Sequence, residues 1–214
     1  VTPGEIREKY TNKIVVECDF DIIKNYDAKA FVKVLKNSFP NLKKIVVGYD
    51  FHFAKGRSCD FKCLQKEFDG ETIVVDEIKI DGISVHSSTI REFIKTDIKK
   101  ANMLLGRRYA IQGKKIIGQG VGSKELVPTV NLEVEGFVLP KEGVYATLSN
   151  RYLSISFLGH RHVTDGSFAV ETHLLEPFED SSKWEIEFIS FIRENRKFDD
   201  IKDLKQQIQR DINE

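Results

Sequence analysis

Apolar and polar positions along the chain follow two different periods, and the change from one to the other divides it. From Asp27 to Phe39, Phe31, Val34 and Leu35 recur at helical spacing behind Asp27, whose carboxylate suits an N-cap. The run Lys43 to Gly48 then predicts a short buried strand, so the two segments form an αβ unit. Asp60 opens a second helix reaching Phe68, and the β-branched stretch Glu71 to Ile80 leads into an Asp81-Gly82 turn. Ser88 or Thr89 begins a third helix bearing Ile90, Phe93 and Ile94, with Thr89 and Glu92 spaced for a capping box. Asp97 caps one more helix, which Gly106 stops.

Beyond Gly106 the period falls to two. Strands are predicted at Tyr109 to Ile117, Val130 to Val134, Gly143 to Ser149, Tyr152 to Leu158, Phe168 to Leu175 and Trp184 to Ile192. Short strands parted by Gly, Pro and Asn turns predict a small antiparallel barrel. Asp200 to Ile212 places Ile201, Leu204, Ile208 and Ile212 on one face of a closing helix. The expected domains are therefore an α/β half over residues 1–105 and a barrel over 106–214, with no internal repeat.

Charge narrows the partners. The 214 residues hold 33 Lys plus Arg against 33 Asp plus Glu, spread without a basic arm or an acidic tail, which excludes an electrostatic polyanion binder. No nucleic-acid partner is expected. No apolar run approaches the roughly 20 residues needed to span a bilayer, and no leader-like segment opens the chain, so a cytoplasmic protein without a membrane partner is expected. Cys18, Cys59 and Cys63 lack a CxxC spacing and are expected to be reduced. The opening VTPGEIREKY supplies no complete first element and reads as part of a longer chain.

Candidate chemistry concentrates between Gly118 and Asn131. Gly118, Gly120 and Gly122, followed by Ser123 and Lys124, form a loop whose amides can approach phosphates, or else a plain hairpin connection. Neither the Walker order nor the dinucleotide fingerprint is present. Thr129 and Asn131 alternate along a strand and so share a face, offering a hydroxyl and an amide oxygen to Mg²⁺ alongside a nucleotide, or simply capping a turn. Glu171, in the apolar run FAVETHLLE, shares a face with Ala169 and His173 and is either a general base or one carboxylate on a solvated sheet. His160-x-His162 lacks partners at zinc-finger spacing. Trp184, Phe188, Phe191 and Phe198 either flank a flat ligand or fill the barrel.

Seven segments in one order carry a resemblance: GYDFHFAKGR (Gly48 to Arg57), SSTIR (Ser87 to Arg91), LLGRRYAIQGKKIIGQG (Leu104 to Gly120), VPTVNL (Val127 to Leu132), LPKEGVYA (Leu139 to Ala146), VETHLL (Val170 to Leu175) and FIRENRKF (Phe191 to Phe198). Together they resemble the bacterial bifunctional riboflavin kinase and FMN adenylyltransferase family, the FAD synthetases. The resemblance implies a partial Rossmann-like nucleotidyltransferase half followed by a six-stranded Greek-key barrel with a C-terminal helix. In the barrel it implies Mg-ATP at Gly118, Gly120, Gly122, Ser123 and Lys124, with Thr129 and Asn131 as metal and nucleotide ligands. Glu171 is then the base that takes the ribityl 5′-hydroxyl proton of riboflavin, and Arg193 and Phe198 belong to the flavin side.

In the first half the resemblance assigns Asp50 and Phe51 to a flavin-side loop, and Ser87, Ser88, Thr89 and Arg91 to a phosphate motif at a helix start. It implies ATP and riboflavin as substrates, FMN and FAD as products, and small molecules as the partners. Val130 replaces the family's usual alanine, Leu126-Val127-Pro128 is one residue short, and no His-x-Gly-His occurs. Without that motif the chain is expected to make FMN but not FAD. The alternative reading is a flavin-binding module without catalysis.

Overall fold

The computed structural model describes residues 3–117, 129–160, 168–197 and 201–213. The chain divides into two compact units, Gly4–Ser84 and Val85–Glu214, the latter joined by Val1–Pro3.

In the first unit a 3-10 turn at Gly4–Tyr10 precedes helices α1 (Phe20–Ile23) and α2 (Ala28–Ser38). Strand β1 (Lys44–Gly48), the short strands β2 (His52–Phe53) and β3 (Cys59–Asp60) and helix α3 (Phe61–Glu67) follow. Strands β4 (Glu71–Val75), β5 (Lys79–Ile80) and β6 (Ile83–Ser84) end the unit. Both expected carboxylate caps are present: Ala30 N–H donates to Asp27 at 2.7 Å and Cys63 N–H to Asp60 at 2.9 Å. β1 and β4 pair in parallel with Val46 opposite Ile73. Val32, Val47, Phe53, Leu64 and Phe68 form the core.

Three details depart from the sequence pattern. The inward position of α2 is Val32, while Val34 remains exposed, because helical spacing from Ala28 runs through Phe31, Val32 and Leu35. The expected strand Glu71 to Ile80 splits, and β5 and β6 form a hairpin whose turn residues Asp81 and Gly82 both have positive φ, the geometry a two-residue turn requires. Cys59 and Cys63, expected as thiols, form a disulfide, and Cys18 is free. Cys59 directly precedes the cap of α3 and Cys63 lies in its first turn, so the helix start brings their Cα atoms to 5.4 Å, within disulfide reach.

The second unit opens with α4 (Ser87–Thr96) and α5 (Ile98–Leu105). His86 occupies the N-cap of α4 without a side-chain cap bond, so the helix starts ahead of the expected capping box. Asp97 caps α5 and Gly106, at φ 64°, ends it. By packing, α4 and α5 belong to the second compact unit. α5 is tied to the barrel, since Asn102 donates to the Phe188 carbonyl at 2.9 Å and accepts from Tyr109 N–H at 2.7 Å.

The barrel strands are β7 (Tyr109–Ile116), β8 (Thr129–Glu133), β9 (Gly143–Ser149), β10 (Tyr152–His160), β11 (Phe168–Leu174) and β12 (Lys183–Arg193), followed by helix α6 (Ile201–Asn213). They close in the order β10-β11-β8-β7-β12-β9. β9, β10 and β11 pair in succession and β12 returns beside β9, which is the Greek-key arrangement. Gly143 permits that return, because a Cβ there would lie 2.5 Å from the Phe191 ring and 2.6 Å from the Arg193 carbonyl oxygen.

Trp184, Phe188, Tyr109, Ile111 and Ile186 are buried. Tyr145 packs edge-on against Phe188 and donates to the Lys141 carbonyl at 2.7 Å, and its burial raises the phenol pKa. Beside this apolar core runs a closed ring of hydroxyls. Thr147 contacts Ser154 and Ser156 at 2.8 Å each, Ser154 contacts Ser149 at 2.8 Å, and Ser149 contacts Thr172 at 2.7 Å. Ser156 donates to Thr172 at 3.0 Å and completes the circuit. Every member can donate once and accept once, so fully buried hydroxyls remain satisfied.

Thr172→Val keeps side-chain volume while opening the ring and stranding its two neighbours. The expected loss is about 1–3 kcal/mol of unfolding free energy, read as a lower urea midpoint with an unchanged slope.

Candidate active site

The barrel's antiparallel β8–β11 pairing assembles the polar residues. His173 stands opposite Thr129, Thr172 opposite Val130, Glu171 opposite Asn131 and Val170 opposite Leu132. By the alternation of a strand, Val130, Leu132, Val170 and Thr172 are buried on one face, while Thr129, Asn131, Glu171 and His173 are half-buried on the other. Directly opposed residues have Cβ atoms about 4.5–5.5 Å apart. The Thr129 hydroxyl oxygen is 3.1 Å from His173 Nδ1. β10 places Phe157 opposite Glu171 and Ile155 opposite His173, and β7 places Ile116 opposite Asn131.

This wall offers two neutral oxygen donors beside one carboxylate. Among the described residues no group of three or more His, Cys, Asp or Glu is arranged to hold a metal ion alone. Thr129 and Asn131 fit a hard cation that takes its other ligands from phosphate and water, which is how Mg²⁺ binds with nucleotides.

The structure thus brings together Thr129, Asn131 and Glu171. Gly118, Gly120, Gly122, Ser123, Lys124 and Phe198 lie outside the described residues. Asp50 and Phe51 belong to the first unit, where Asp50 is exposed and Phe51 stacks on Phe53 with ring centroids 5.5 Å apart. Ser87, Ser88 and Thr89 form the first turn of α4 in the second unit, with Arg91 exposed one turn on. Trp184 and Phe188 are core residues rather than ligand walls.

Arg193 sits on β12, across the barrel from β11 with two strands between them in either direction. Its guanidinium is committed to α6: Nε donates to Asp211 at 2.8 Å, Nη2 donates to the same carboxylate at 2.7 Å, and Nη1 donates to the Glu194 carbonyl at 3.1 Å. Gln207 also donates to Asp211, at 2.7 Å, and accepts from Arg196. Asp211 and Gln207 are buried, whereas Ile208 and Ile212 of the expected apolar face are half-buried. Sequence reasoning missed Asp211 and His173. A helical pattern read for apolar residues passes over a buried carboxylate, and His173 is visible only as the period-two neighbour of Glu171.

Comparison with known proteins supplies the family. The riboflavin kinase family model matches residues 105–214, which includes the whole barrel and α6. The chain belongs to the riboflavin kinase family. It is accordingly a transferase, and the non-catalytic flavin-binding alternative is not favoured.

Curated relatives agree with that family. The bifunctional riboflavin kinase/FMN adenylyltransferase of Haemophilus influenzae is 28% identical over 218 residues, covering 96% of this chain and 71% of the relative. Its namesake in Escherichia coli K12 is 29% identical over 227 residues, covering 96% and 72%. A solved structure described as a macrolide-efflux protein from Streptococcus pneumoniae matches with a TM-score of 0.77 at 26% identity, covering 89% of this chain and 65% of that one. Among the described residues no helix is long and apolar enough to cross a membrane.

Asp211→Ala would leave the Arg193 guanidinium, whose side chain is 18% accessible, without its paired charge. Loss of one partner from such a pair is expected to cost about 3 kcal/mol or more, measured as a drop in the urea midpoint.

Proposed function

We propose that the wall formed by Thr129, Asn131 and Glu171 carries the riboflavin kinase reaction, transfer of the ATP γ-phosphate to the ribityl 5′-hydroxyl of riboflavin to give FMN. The observation supporting this is the register, which sets Glu171 directly opposite Asn131 with Thr129 two residues away on the same face. Phosphoryl transfer depends on in-line positioning and charge neutralisation more than on covalent help from the protein. Glu171 accepts the hydroxyl proton as the oxygen attacks the γ-phosphorus, the bond to the β–γ bridging oxygen breaks and ADP leaves. Thr129 and Asn131 would hold Mg²⁺, which would supply charge neutralisation to the phosphate oxygens.

Gly118, Gly120, Gly122, Ser123 and Lys124 are assigned to the nucleotide phosphates, from their composition and the resemblance. Phe198 is assigned to the flavin side on the same ground. Arg193 acts there through its hold on α6. A cytoplasmic location belongs to the same reading.

The first unit is read as part of a Rossmann-like nucleotidyltransferase half that adenylylates FMN to FAD in a polypeptide possessing the complete site. A parallel β1–β4 pair with helix α3 between its strands supports an α/β origin. Val46, Ile73 and Val75 give its outward face the apolar character of a sheet normally covered on both sides. Asp50 and Phe51 are assigned to flavin in that half, and Ser87, Ser88, Thr89 and Arg91, at the start of α4 in the second unit, to nucleotide phosphates, from the resemblance. The domain division follows the activities, 1–105 and 106–214, and the family model begins within a residue of that point.

Glu171→Gln is expected to lower turnover about 10² to 10⁴-fold, the usual range for a lost general base, while riboflavin and Mg-ATP affinities stay within a few-fold. Near-normal turnover would remove Glu171 from the mechanism. Incubated with riboflavin, ATP and Mg²⁺, the 214-residue chain is expected to accumulate FMN and no FAD, because it lacks the His-x-Gly-His donors. Chromatographic detection of FAD would refute that expectation.

A further inference from the structure

We infer that His173 is a positioning residue for the metal site: its Nδ1 accepts the Thr129 hydroxyl proton and thereby turns the Thr129 oxygen lone pairs toward the cation. This rests on the assignment of Thr129 as a Mg²⁺ ligand. The two residues are directly opposed on β8 and β11, and their side chains meet at 3.1 Å, so the pairing register itself delivers the contact.

The direction of the hydrogen bond follows from electrostatics. A threonine hydroxyl has one hydrogen and two lone pairs. If Nδ1–H donated to it, one lone pair would be used and the hydroxyl hydrogen would be free to point at the cation, where it is repelled. If the hydroxyl instead donates to Nδ1 of an imidazole carrying its proton on Nε2, its hydrogen is turned toward the ring and the oxygen, not the hydrogen, faces a hard cation. Cation binding also makes the hydroxyl a stronger donor, so the two interactions reinforce one another. Partners that orient a metal ligand commonly affect metal affinity by about 10- to 100-fold.

Glu171 and His173 therefore divide the work on one strand face. Glu171 is placed to touch the reacting hydroxyl. His173 acts through Thr129. The half-buried ring has Ile155 opposite it on β10 and Thr129 opposite it on β8.

The test measures ADP affinity by calorimetry with and without Mg²⁺, riboflavin affinity by fluorescence, and the Mg²⁺ concentration giving half-maximal turnover. His173→Leu is expected to diminish the Mg²⁺-dependent gain in ADP affinity about tenfold and to raise the half-maximal Mg²⁺ concentration by a similar factor. Metal-free ADP affinity and riboflavin affinity should stay within about twofold of the parent. His173→Asn, whose amide can reach the Nδ1 position, should recover most of the loss. His173→Gln carries its amide beyond that position and should behave like His173→Leu, which keeps the test available if the leucine variant does not fold.

Thr129→Val should abolish the Mg²⁺-dependent gain, and adding His173→Leu should then cost nothing further, since both changes remove one coupled contact. If Thr129→Val retains the gain, the ligand assignment is wrong and this inference goes with it. If Thr129→Val loses the gain while His173→Leu and His173→Gln keep it, or His173→Asn fails to recover it, the ligand stands and the positioning role is overturned. Equal weakening of riboflavin, metal-free ADP and Mg-ADP binding would likewise overturn it, because a merely structural residue behaves that way.

Discussion

The antiparallel register between β8 and β11 is the constraint on which the site depends. Side chains alternate faces with a period of two, so a slip of one residue on either strand would turn Thr129, Asn131, Glu171 or His173 into the interior and bring Val130 or Thr172 out. Closure of the barrel removes the free edges along which such a slip could propagate. Both strands are held on their other sides as well, β8 by β7 and β11 by β10. The residues proposed for the chemistry thus lie on two strands that are each paired on both sides.

The hydroxyl ring strengthens that constraint from inside. Thr172 lies between Glu171 and His173 in sequence and points the opposite way, where its oxygen meets both Ser149 and Ser156. An apolar residue at Thr172 could pack in many ways. A hydroxyl that must find directional partners in a dry interior has few solutions, and missing one leaves a costly unsatisfied group. Fixing Thr172 inward fixes its two neighbours outward, so a buried network orients the residues proposed for the site.

Much of this was legible in the sequence, for reasons that differ by element. The six strands and the carboxylate caps at Asp27, Asp60 and Asp97 follow from periodicity and local hydrogen bonding, which need no tertiary information. Thr129, Asn131 and Glu171 were legible as a set only through family resemblance, because nothing in their spacing reveals that β8 pairs with β11 rather than with β9. The start of α4, the Cys59–Cys63 bond and the attachment of α5 to the barrel were not legible. Each depends on a partner supplied by folding: the β-conformation of His86, the turn of α3 that carries Cys63, and the carbonyl of Phe188 that Asn102 reaches.

Arg193 shows how the fold supplies a partner that family resemblance alone does not reveal. Read from the sequence, a cation in the flavin-side segment invites direct contact with ligand. Folded, its donors meet Asp211 and the Glu194 carbonyl, and Asp211 is almost completely buried. Gln207 donates to the same carboxylate, so a guanidinium and an amide share one buried Asp211, and removing either partner would leave its charge less well satisfied. The charge is therefore used to hold α6 against the end of β12.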